Sequence, residues 1–206
     1  MARLLESVAL QSRLPDEVLV IDASPDEKTR DLLENSSKIS NLKYFNVENE
    51  YRGLTRQRNY GVRETGREID VISFLDDDII LKPDYFEKLI NSYKAYPDAI
   101  GVGGYISNEV RWEQREAVPD FDEFKMDGYI RKLGSRNLLR KRLGLLSDCP
   151  PGVMPDFSNG FSIGFLPPSG KIYPVEFFMG GVASYRREIF EKLDFSEYFQ
   201  GYGLYE

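Results

Sequence analysis

Up to about residue 107, helical and extended periodicities take turns along the chain. Leu4, Leu5, Val8 and Ala9 share one face and predict a helix over 2–12, which cannot continue through Pro15. Glu17 to Ile21 forms a short apolar strand, closed by the turn-forming run Asp22-Ala23-Ser24-Pro25-Asp26. Thr29 to Leu33 predicts a helix, and Leu42 to Val47 a second strand. Within Gly53 to Gly61, Thr55 is the expected N-cap of a further helix, with Arg56 and Arg58 in its opening turn. Ile69 to Leu75 has the length and the β-branched and aromatic content of a buried strand. Pro83 suits a first helical position, and Phe86, Leu89, Ile90 and Tyr93 follow at i, i+3, i+4, i+7. Ala99 to Ile106 is another strand, whose Gly101, Gly103 and Gly104 permit close backbone approach.

Strands that alternate with helices imply an α/β fold with a mostly parallel sheet and helices on both faces. Ligands of such sheets bind beyond the carboxyl ends of the strands. Asp22 and Asp76 each follow the last apolar residue of a strand, so both are expected at one crevice. The expectation is one domain over 1–206, with an irregular insert or lid at 108–174 where the rhythm breaks. Inside it, Arg131 to Arg142 holds six basic residues and no acid, with Leu133, Leu138, Leu139 and Leu143 in or beside the run. That stretch is either a basic amphipathic helix touching anionic lipid or an anionic acceptor, or a solvated face interrupted by Gly134. Residues 150–170 are rich in Pro, Gly and Ser and predict a long loop. Order is expected again at Val175 to Met179, then Gly180-Gly181, then a helix near Arg186 to Leu193. The end is dense in aromatics (Phe195, Tyr198, Phe199, Tyr202, Tyr205), which serve either as core or as flat surfaces for sugar rings.

Composition narrows the choices. With 206 residues, 41% apolar and 13% aromatic, the chain can bury a core. A formal charge of −7 disfavours nucleic acid as a partner. The absence of histidine excludes Ser-His-Asp and Cys-His catalysis and any imidazole metal site within this sequence. One cysteine, Cys149, permits no internal disulfide and no cysteine-built zinc site, in keeping with a reducing cytoplasm. No run of about 18 apolar residues is present, and the first residues lack the apolar core of a signal peptide. A cytoplasmic protein, peripheral at most to the inner face of a membrane through Arg131 to Arg142, is therefore expected.

The chemistry concentrates in Asp76-Asp77-Asp78, where an apolar strand ends in three adjacent carboxylates. Such acids repel one another unless a cation or hydrogen-bond donors compensate. Mg²⁺ or Mn²⁺ favours carboxylate oxygens, using one or two of them together with a substrate's phosphates. The working hypothesis is a divalent cation held here that in turn holds a diphosphate. Two alternatives stay open: a solvated turn before Lys82-Pro83, and a phosphatase-like hydrolase with Asp76 as nucleophile. An EF-hand loop is excluded, because Ile80 and Leu81 occupy its fifth and sixth positions.

Taken together, Val20-Ile21-Asp22-Ala23-Ser24, the Gly53…Arg58-Asn59-Tyr60-Gly61 segment, Phe74-Leu75-Asp76-Asp77-Asp78, Gly180-Gly181 and Gly201-Tyr202-Gly203-Leu204-Tyr205-Glu206 resemble a family 2 glycosyltransferase with the GT-A fold. The resemblance covers nearly the whole chain and is weakest over 108–174. It implies a nucleotide-diphospho-sugar donor, a glycan or lipid-linked acceptor, and Mg²⁺ or Mn²⁺ on Asp78 and Asp76. Asp22, Arg58, Asn59, Asp76 and Asp77 would then line the donor, and Gly180, Gly181 and Tyr202 the acceptor. Glu206 would open the family's Glu-Asp motif, which supplies the general base, although its neighbour is the expected base. It further implies that the chain starts after the family's first strand and stops before its C-terminal helices, as part of a longer protein. The absent strand would lie between those ending at Asp22 and Asp76. Rival classes are a nucleotidyltransferase on a related fold, the hydrolase above, and a noncatalytic module binding carbohydrate or a lipid surface.

Overall fold

The computed structural model describes residues 1–36, 39–108 and 110–198. The chain divides into two compact units, Met1–Val102 with the segment from Gly180 onward, and Gly103–Met179.

In the first unit, α1 (Ala2–Ala9) buries Leu4 and Val8, one turn apart on one face. They pack with Leu81, Phe86, Leu89 and Tyr93 into a single apolar cluster. Helix α1 ends three residues before the expected boundary, and Leu10 beyond it is exposed. Strand β1 (Val18–Asp22) pairs in parallel with β2 (Leu42–Asn46), the intervening α2 (Lys28–Ser36) making the crossover. Helix α3 spans Leu54–Glu64, β3 Val71–Leu75, α4 Tyr85–Ala95 and β4 Gly101–Gly103.

Two expected caps differ. Gly53, at φ 125°, occupies the N-cap of α3, while Thr55 lies fully buried inside the helix. A left-handed φ favours glycine over any residue with a Cβ. At α4 the N-cap is Asp84, so Pro83 precedes the helix instead of opening it.

The returning strand β8 spans Val182–Arg186 and lies between β3 and β4. It runs antiparallel to β3, with Leu75 opposite Val182 and Val71 opposite Arg186. The described strands thus form three small sheets, in which β1–β2 is a parallel pair, while β3–β8 and both pairs in the second unit's sheet are antiparallel. The β3–β8 pair departs from the mostly parallel sheet expected. The physical reason is that β8 arrives after the 103–179 unit and not through a helical crossover, so nothing obliges it to run parallel. Val175 to Met179, where order was expected, forms no helix or strand, and regular structure resumes beyond the two glycines. The expected helix near Arg186 to Leu193 is a short 3₁₀ turn at Arg187–Glu191.

The second unit contains the span in which an irregular insert was expected, and it has regular structure. Strands β5 (Glu113–Gln114), β6 (Glu123–Met126) and β7 (Tyr129–Lys132) form an antiparallel sheet, and α5 spans Ser135–Arg142. Leu133, Phe161 and Phe165 form its core, flanked by Phe124, Leu138 and Leu146. The basic run is therefore not one helix. Arg131 and Lys132 belong to β7, and Gly134 is the N-cap of α5. Arg131 is half-buried with its guanidinium 4.1 Å from the Phe165 ring centroid and 5.5 Å from that of Trp112, and its pKa is lowered by burial.

Candidate functional site

The register of β3 against β8 decides what faces the acidic triplet. Continuing past Leu75↔Val182 places Gly181 opposite Asp76, and the Asp76 amide donates to the Gly181 carbonyl at 2.9 Å. A Cβ on Gly181 would meet the Asp76 carboxylate, with Cγ only 2.9 Å away. Glycine at 181 is thus what allows this carboxylate to lie along the strand pair. Its expected role, letting an acceptor approach the backbone, is joined by this packing role toward Asp76.

Helix α3 contributes the counter-charge. Arg58 is 9% exposed, and its Nη2 donates to the Gly180 carbonyl at 3.1 Å and lies 3.7 Å from Asp76 Oδ1. Its guanidinium sits 5.7 Å from the Phe74 ring centroid and 5.5 Å from that of Phe195, two aromatic rings 5.0 Å apart. Aromatic faces attract a desolvated guanidinium, so the arginine is held in place beside the acid. Arg56, by contrast, is directed to the Glu50 carbonyl at 3.1 Å and to Glu197 at 3.5 Å.

Asn59, expected at the donor, is buried and engaged elsewhere. Its Nδ2 donates to the Phe195 carbonyl and its Oδ1 accepts from the Phe195 amide, both at 2.9 Å. It therefore fixes the aromatic ring that flanks Arg58. Asn59→Ala leaves both backbone groups of Phe195 without these partners and is expected to cost about 1–3 kcal/mol of stability, measured by urea denaturation.

Asp22 ends β1 and is 8% exposed. Oδ1 accepts from the Ser24 amide at 2.9 Å and Oδ2 from the Tyr44 hydroxyl at 2.9 Å. Burial pushes its pKa up, but the hydrogen bonds from Ser24, Tyr44 and Thr29 outweigh this and hold it below the usual value. Gln57 of α3 donates to the Ile21 carbonyl at 2.9 Å, tying the end of β1 to the helix that carries Arg58.

The triplet itself turns outward. The Asp76 side chain is 51% exposed and that of Asp77 is 73% exposed, the latter 3.8 Å from the Met1 amino group; Asp78 is also exposed. Among the described residues no three Asp, Glu, Cys or His side chains converge as a ready-made metal cage. Two exposed carboxylates two residues apart still fit a hard cation that completes its coordination with phosphate and water.

The turn after the triplet is pinned by polar residues that periodicity alone did not single out. Ser7, buried on the apolar face of α1, accepts from the Leu81 amide at 3.1 Å. Gln11 donates to the Lys82 carbonyl at 2.8 Å and accepts from the Phe86 amide at 3.1 Å. The available signal was their position, three and seven residues after Leu4, inside an otherwise apolar stripe.

Tyr202 and Glu206 lie outside the described residues. Arg58, Asp76, Gly180 and Gly181 are brought together, with Asp77 and Asp78 following directly in the chain.

Residues 1–194 match the family described as glycosyl transferase family 2. The chain belongs to that family. Over 119 residues it is 33% identical to a glucosyl-dolichyl phosphate glucuronosyltransferase of Haloferax volcanii, a match covering 57% of this chain. The chain spans 35% of the length of that relative. No solved structure gives a significant match. No described helix of this family 2 member is long and apolar enough to cross a membrane.

Proposed function

We propose that this protein transfers a sugar from a nucleotide-diphospho-sugar to a hydroxyl of a glycan or lipid-linked acceptor, with inversion at the anomeric carbon. The observation that carries this reading is the meeting of Arg58, Asp76 and Gly181 at the end of β3. A buried, aromatic-held guanidinium beside an exposed carboxylate pair suits a departing nucleoside diphosphate, whose negative charge grows as the glycosidic bond breaks. Asp76 and Asp78 would hold Mg²⁺ or Mn²⁺, which supplies Lewis-acid stabilisation of the diphosphate when bound. Arg58 presents a positive charge already desolvated and fixed, so little reorganisation is required during the reaction. Asp22, at the carboxyl end of β1, is assigned to the nucleobase side, and Asp77 to the donor side. Asn59 acts on the donor indirectly, through Phe195 and Arg58. Gly180 and Gly181 border the acceptor.

The acceptor hydroxyl must lose a proton as it attacks, which calls for a carboxylate base. The family assigns that role to the Glu206 region, with Tyr202 near the acceptor. A lipid-linked acceptor is supported by the relative's glucosyl-dolichyl phosphate substrate.

The test is a panel of nucleotide-sugars with Mn²⁺ and lipid-linked or soluble sugar acceptors. Acceptor-dependent release of nucleoside diphosphate is expected, with a product whose NMR coupling shows the opposite anomeric configuration to the donor. Retained configuration, or hydrolysis indifferent to acceptor, would overturn the proposal.

A further inference from the structure

We propose that the outer face of α5 docks on an anionic lipid bilayer. Arg136, Leu139 and Leu143 stand at i, i+3 and i+7, with Arg142 beside Leu143, and all four are exposed. Leu139 is 58% and Leu143 62% exposed, and Leu145 just beyond is 41% exposed. Leu138, on an adjoining side of the helix, packs against the core formed by Leu133, Phe161 and Phe165. The outward leucines are therefore not part of the core of this unit.

Charge selects the occupant. Helix α5 carries Arg136, Arg140, Lys141 and Arg142 with no acid, on a chain whose net charge is −7. Two carboxylates close to Lys141, those of Asp122 and Glu123, are already engaged. Asp122 pairs with Lys132 at 3.0 Å, and Glu123 accepts from Arg115 at 2.7 Å and lies 3.3 Å from Lys132. Lys141 lies 5.1 Å from the centroid of Phe121, itself 57% exposed, so the basic edge continues into a second apolar group. Leucines flanked by arginines on the outside of a short helix suit the headgroup boundary, where apolar side chains enter acyl chains and guanidinium groups meet lipid phosphates. This inference goes beyond the transfer reaction and does not depend on it.

The test is co-sedimentation of the full protein with vesicles of phosphatidylcholine alone or with 30% phosphatidylglycerol, at low and high salt. Binding is expected only to the anionic vesicles and to weaken with salt. Arg136→Ser or Arg142→Ser should each lower affinity about fivefold, and Leu139→Ser with Leu143→Ser at least roughly tenfold. Circular dichroism and nucleoside diphosphate binding should be unchanged in these variants, which separates this inference from the donor-site reading. As a second measurement, an environment-sensitive fluorophore on Leu139→Cys, in a Cys149→Ser background, should shift to the blue on anionic vesicles. Equal vesicle binding by the variants, no vesicle binding at all, or a fluorophore that stays in water would overturn the proposal. So would a self-association lost with the same substitutions, which would assign the face to a second copy.

Discussion

Asp76→Ala or Asp78→Ala is expected to reduce sugar transfer about 10²–10³-fold, while leaving the fold intact. The magnitude is that of removing one preorganised electrostatic partner of a developing negative charge. Both side chains are exposed, so neither substitution opens a cavity, and in the Asp76 variant Arg58 keeps the Gly180 carbonyl and its two aromatic neighbours. The effect should appear in kcat/KM and be only partly offset by excess Mn²⁺. Asp77→Ala should be milder, within about tenfold on the same scale, because the carboxylate beside Arg58 is that of Asp76. A triplet that served only as a solvated turn would tolerate all three substitutions equally.

Gly181→Ala is expected to lower kcat/KM about 100-fold through a single methyl group. The added carbon would fall on the Asp76 carboxylate, which must swing away from Arg58 to make room. A displacement of about 1 Å in a catalytic group can cost that much. Because Asp76 is half exposed, its side chain has somewhere to go, and the stability loss should stay near the lower end of the roughly 1–3 kcal/mol typical of overpacking. Steady-state kinetics beside a thermal melt separates the two effects. A protein that melts normally yet transfers poorly is the expected outcome.

Much of the first unit was legible because its elements are written in apolar periodicity. The runs ending at Asp22 and Leu75 became β1 and β3 with boundaries shifted by one or two residues, and Phe86, Leu89 and Tyr93 are buried on α4 as their spacing requires. The acidic turn was legible because three carboxylates after an apolar strand have few inexpensive explanations. Strand β8 was missed because Ala183 and Ser184, both almost fully buried, give no apolar run; their burial depends on β3 and β4, which are distant in sequence. The resemblance places Arg58 beside the donor, but its seat against Phe74, Phe195 and Asp76 depends on residues distant in sequence. Asn59 was read as a ligand contact because nothing local reveals that its amide meets Phe195, 136 residues away. The 103–179 unit was least legible. Its core comes from Phe161 and Phe165 in a Pro- and Gly-rich stretch, where no periodicity marks them.

The central claim is that two aspartates at the end of β3 grip a cation bearing the donor's diphosphate. Electron paramagnetic resonance of Mn²⁺, titrated with protein in the presence and absence of nucleoside diphosphate, measures this directly. Strong Mn²⁺ binding only with nucleotide present, lost when Asp76 and Asp78 are both changed to asparagine, is the predicted result. Nucleotide binding that ignores Mn²⁺, or Mn²⁺ binding unchanged in the double variant, would contradict it.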